Sequence, residues 1–94
     1  MSTDQKSAAQ AGVLPEVTFS TFVLSLASSA LVQLGEVPDP ETGERRCDAA
    51  LARNTIDVLS MLEDKTSNGL TPDEKHLLKD VLYELRMKFV VHNS

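Results

Sequence analysis

From Val17 to Gly35 the chain carries no charged side chain, and this stretch limits more than any other what the chain can fold into. Phe19, Phe22, Val23, Leu24, Leu26, Ala27, Ala30, Leu31 and Leu34 recur at helical spacing. At about 100° per residue they sweep an arc roughly 200° wide, about twice the stripe that packing on one core requires. The other side holds Thr21, Ser25, Ser28, Ser29, Val32 and Gln33, so no part of this helix offers a charge to water. It calls for cover on more than one face. Thr18 or Ser20 is the expected N-cap and Gly35 the expected left-handed terminator, which sets the helix at about 19–34. About 20 apolar residues would span a bilayer. Here, however, four serines, two threonines and a glutamine dilute the stretch, acidic residues stand at both ends, and no basic cluster or Trp/Tyr belt flanks it. An integral membrane span is therefore not expected; burial against protein is.

The rest of the chain supplies two further helices. The segment from Gly35 to Glu44 contains two prolines and two glycines, which predicts a connecting loop over 35–47. A second helix is expected over 48–67, capped by Asp48, with Leu51, Ala52, Thr55, Ile56, Val58, Leu59 and Leu62 on its apolar side and Asn68-Gly69 as its stop. Thr71-Pro72-Asp73-Glu74 combines a cap, a proline at the first helical position and a glutamate at the third, the clearest local signal in the sequence. The helix it opens should run over 72–91 with Leu77, Leu78, Val81, Leu82, Leu85 and Phe89 as its core stripe. The short connection implies an antiparallel hairpin of the second and third helices. Residues 1–15, rich in Ser, Gln and Ala, show no sustained apolar period and are expected to form a disordered tail. The expectation is an all-α, three-helix single domain over 16–92, with the apolar first helix at its centre.

Composition bounds the function. The 94 residues suit one core, and so small a helical domain buries only about 60% of its unfolded surface, which favours completion by self-association. A net charge of -5 and no basic run longer than Arg45-Arg46 disfavour nucleic acid as a partner. The single cysteine, Cys47, has no partner for a disulfide within the chain, and the first residues lack the pattern of a signal sequence, so a cytoplasmic location is expected.

Chemistry finds little to build on. Cys47 sits at a loop-to-helix junction where a helix N-terminus could activate a thiol, but neither His76 nor His92 is tied to it by any nucleophile–base spacing. His76 and Asp80, one turn apart, with Asp73 or Glu74 nearby, are too few and too ordinary to specify a metal. Glu36, Asp39, Glu41 and Glu44 give no sign of the burial that paired-carboxylate catalysis needs. The four glycines are isolated and form no phosphate cradle. No catalytic residue, metal or cofactor is assigned.

Four strings then stand out in order: Val17-Thr18-Phe19-Ser20-Thr21-Phe22-Val23-Leu24-Ser25-Leu26, Leu34-Gly35-Glu36-Val37-Pro38-Asp39-Pro40, Thr55-Ile56-Asp57-Val58-Leu59-Ser60-Met61-Leu62, and Leu82-Tyr83-Glu84-Leu85-Arg86-Met87-Lys88-Phe89-Val90. With them the chain resembles, over roughly residues 16 to 91, the bacterial family catalogued as domain of unknown function 1844. That resemblance implies a small cytoplasmic helical protein of bacteria and brings no activity with it.

The function expected on these grounds is a non-catalytic interaction module that forms homo-oligomers, dimers or larger. Its interface is placed on Phe22, Leu24, Leu31, Ser25 and Ser29, where the two serines permit close helix approach. His76, Tyr83, Met87 and Val90 fall within about 60° of one another on the third helix, away from its core stripe, as a second face for an unidentified protein partner. Two alternatives stand beside this. One is a small-ligand or enzyme site between subunits using Tyr83, Arg86 and His76; the other is a membrane-peripheral protein that lays its first helix on the lipid surface.

Overall fold

The computed structural model describes residues 16–93, so the tail expected over 1–15 lies outside the described residues. It contains three helices, α1 (Phe19–Gln33), α2 (Ala49–Lys65) and α3 (Pro72–His92), and no strand among the described residues. Each begins where a side chain satisfies the free amides of its first turn. Of the two possible caps for α1, Thr18 is the one used: its hydroxyl oxygen accepts from the Thr21 amide at 3.0 Å, and the Thr21 hydroxyl oxygen accepts from the Thr18 amide at 2.9 Å. Asp48 caps α2 by accepting from the Leu51 amide at 3.1 Å. On α3 the Thr71–Glu74 box closes in both directions, at 3.1 and 2.9 Å, with Pro72 at the first position.

α1 ends as expected, at a left-handed Gly35 with φ of 78°. The Gly35 amide donates to the Val32 carbonyl at 3.0 Å and the Glu36 amide to that of Leu31 at 2.9 Å, the paired bonds of a Schellman ending. α2 ends at Lys65 with Thr66 as its C-cap, within two residues of the expected end and just ahead of Asn68-Gly69. The Thr66 amide and hydroxyl both donate to the Leu62 carbonyl, at 2.9 and 2.6 Å, while the Thr66 backbone leaves the helical region.

The directions of the helices follow from their cross-links. The Asp48 amide donates to the Gln33 carbonyl at 2.7 Å and the Thr55 hydroxyl to Gln33 Oε1 at 2.7 Å, which sets the start of α2 beside the end of α1. Lys88 and His92 both reach Glu36, so α3 ends at the same place. α2 is therefore antiparallel to both other helices. The loop between α1 and α2 returns to its origin and is folded on itself. The Asp39 amide donates to the Glu44 carbonyl at 2.8 Å, the Gly43 amide to the Asp39 carbonyl at 2.7 Å, and the Glu41 amide to Asp39 Oδ1 at 2.8 Å.

The core consists of Val23, Ala30 and Leu34 from α1 with its cap, Ala52, Ile56 and Leu59 from α2, and Leu78, Leu82 and Leu85 from α3. Phe19, Leu26, Ala27, Leu31, Leu62, Leu77, Val81 and Phe89 pack around its edge. Thr55 is buried, its hydroxyl bonded to Gln33. Several large apolar side chains stay outside this core. Phe22 and Leu24 are 48% and 49% exposed, and Leu51, expected on the buried side of α2, is also half exposed. Two neighbouring helices cover only part of an arc as wide as that of α1.

Candidate interaction surfaces

A bundle of three helices has three outer faces, one over each seam, and helical geometry assigns the exposed side chains to them. On α1 the flank toward α2 is marked by Gln33, which bonds Thr55. The flank toward α3 is marked by Ala27 and Leu31, which line a shallow groove of about 340 Å³ with Val81, Leu85, Asp80, Glu84 and Lys88. At 100° per residue, Phe22, Ser25 and Ser29 fall on the α2 flank and Leu24 and Leu31 on the α3 flank. The five residues expected to form one interface on α1 are thus divided between two faces. Leu31, moreover, is half-buried against the core.

The face over α1 and α3 is rich in charge, with Asp80, Glu84 and Lys88 rimming its apolar floor. At its end two side chains of α3 converge on Glu36, just past Gly35. Lys88 Nζ donates to Glu36 Oε1 at 2.8 Å, and His92 Nε2 stands 2.7 Å from Glu36 Oε2. Lys88 also lies 3.6 Å from Glu84. The hydrogen bond from Lys88, then that from His92, holds the Glu36 carboxyl at about 2 against an ordinary 4.5, with desolvation opposing them. The same bond raises Lys88 above its usual 10.5. Glu36 is a carboxylate here and can only accept, so the proton of this contact is on His92. The carboxylate stands where α1 and α3 both end, the negative poles of two helix dipoles, and Lys88 and His92 offset that placement. Nothing local in the sequence announces the cluster, since its members lie on different elements.

On α3 the four residues expected as a second partner face, His76, Tyr83, Met87 and Val90, are all exposed on its outer side. His76 Nε2 pairs with Asp80 Oδ2 at 3.3 Å in open solvent. It also edges a groove of about 440 Å³ near the α2–α3 turn, together with Lys75, Lys79 and Thr66. Arg86 instead donates to Ser60 at 3.1 Å and lines a separate groove between α2 and α3 with Arg53, Asp57 and Phe89. Tyr83, Arg86 and His76 therefore do not converge on a common cleft. Glu74 is engaged by the Thr71 cap, and among the described residues no group of three or more His, Cys, Asp or Glu is arranged to hold a metal ion. Cys47 is exposed just before the α2 cap. Among the described residues no helix is long and apolar enough to cross a membrane.

No curated protein and no solved structure matches the chain. The family model of a domain of unknown function, DUF1844, matches residues 16–91, which takes in α1, α2, both connections and all of α3 but its last residue. The chain belongs to that family.

Proposed function

We propose that this chain is a non-catalytic helical module of the bacterial cytoplasm that associates with copies of itself through α1. The observation that carries this reading is that Phe22 and Leu24 stay half exposed on a helix without a single charge, after α2 and α3 have taken their share of its apolar arc. A second copy seated on one flank of α1 covers part of that excess at no cost in charge burial. An exposed, unpaired thiol at Cys47 suits a reducing compartment. A second reading, which adds to the first, concerns α3: Tyr83, Met87 and Val90 form an exposed stripe of the side chains that interfaces favour, and it serves a different protein once the copies have joined. A small-ligand or catalytic site on Tyr83, Arg86 and His76 has less support, because His76 and Arg86 edge separate grooves. Sedimentation or light scattering of the full-length protein over a micromolar concentration series tests the first reading. A stable dimer or larger assembly is the expected result, and a monomer throughout the series overturns it.

A further inference from the structure

We infer that the copies meet through the face formed jointly by α1 and α2, as a closed twofold dimer with four helices at its centre; this rests on the self-association proposed above. On α1 this face presents Phe22, Ser25, Ser29 and Val32, and on α2 it presents Leu51, Asn54, Val58 and Met61. Leu51 and Met61 are 51% and 47% exposed, so α2 contributes as much uncovered apolar surface as Phe22 does.

Charge singles out this face. Arg53, Asp57, Glu63 and Asp64 project from the other sides of α2, α1 has no charge at all, and among the helical residues of the face only Lys65, at its far edge, is charged. Two copies of a chain with net charge -5 repel one another, and a twofold interface sets each group near its own duplicate. The outer sides bearing Asp80, Glu84, Arg53 or Asp57 would then oppose like charges, whereas the α1–α2 face carries only Lys65, at the end of α2. Its size also fits. Two helices side by side, each about 10 Å across and about 23–25 Å long, offer on the order of 500 Å² in projection. Accessible area exceeds projected area, which brings the face close to the roughly 800 Å² per partner of a stable dimer. Ser25 and Ser29, small and central, let the α1 helices approach closely, with Phe22, Leu51 and Met61 around them.

The test compares three full-length variants, Met61→Glu, Phe22→Glu and Leu24→Glu, with the parent by sedimentation velocity, with circular dichroism establishing that each keeps its helices. Met61→Glu and Phe22→Glu are expected to shift dimer dissociation upward in concentration by roughly a hundredfold or more, as an unpaired charge in a dry interface does. The mass then falls to the 10.2 kDa of a single chain. Leu24→Glu, on the α1–α3 side, is expected to leave the mass unchanged. If Leu24→Glu dissolves the dimer and Met61→Glu does not, the face is wrong while self-association stands. A monomeric parent overturns both. Should either glutamate on the inferred face unfold its helix, Met61→Lys and Leu51→Lys are read in the same way, and an undiminished dimer in both refutes the face.

Discussion

A carboxylate at Glu36 joins the end of α1 to the end of α3, and its titration gives the bundle an acid limit. Its pKa in the folded chain, about 2, lies below the ordinary 4.5, so the stability it confers is complete above about 4.5 and is lost as the pH falls toward 2. Glu36→Gln should lower the urea midpoint at neutral pH, and the gap between the two proteins should close across that acid window; a gap independent of pH would show that Lys88 and His92 do not hold the charge. Lys88, raised above 10.5, sets the opposite limit, its contribution present below that value and lost as the pH rises through the raised one. None of this was legible in the sequence, because Glu36 read as one of four loop carboxylates and its partners stand 52 and 56 residues away. Gly35 was legible, because a helix that ends before a glycine needs its left-handed φ. The close approach of the Arg46–Cys47 backbone, 3.4 Å from where a Cβ would stand, was not. Gly35→Ala should destabilise the protein by about 1–2 kcal/mol from backbone strain alone, measurable by urea unfolding.

The helices themselves were legible where their signals are local. Thr71, Pro72 and Glu74 fixed the start of α3, and removing the cap with Thr71→Ala should cost about 1 kcal/mol in urea unfolding. The core stripe of α3 was equally plain, since its residues recur at helical spacing. Leu82, 1% exposed, should cost about 2–5 kcal/mol on truncation to alanine, whereas Tyr83→Ala beside it should cost little in the same assay. Less legible was which flank of a helix meets which neighbour. A helical wheel places Phe22 and Leu24 at their angles, but only the Gln33–Thr55 bond and the Leu31 groove reveal that α2 lies on one side and α3 on the other. For the same reason Leu51 read as core: it adjoins the buried stripe of Ala52, Thr55, Ile56 and Leu59, yet that stripe already fills the space α1 and α3 leave.

Taken whole, the molecule has more apolar side chain on α1 than three helices cover, and the excess ties folding to assembly. If copies join, the thermal midpoint should rise with protein concentration, while a monomer melts at one temperature whatever its concentration. Differential scanning calorimetry at several concentrations reads this directly. Another property comes from the loop that returns to its origin. A single backbone hydrogen bond of 2.7 Å joins Gln33 to Asp48, so the residues past Glu36, from Val37 to Cys47, are a detour that supplies nothing to the core. Lengthening such a detour is cheap, about 0.6 kcal/mol for each doubling. A foreign peptide spliced between the exposed Thr42 and Gly43 should therefore leave the helices folded and be displayed at one pole of the bundle.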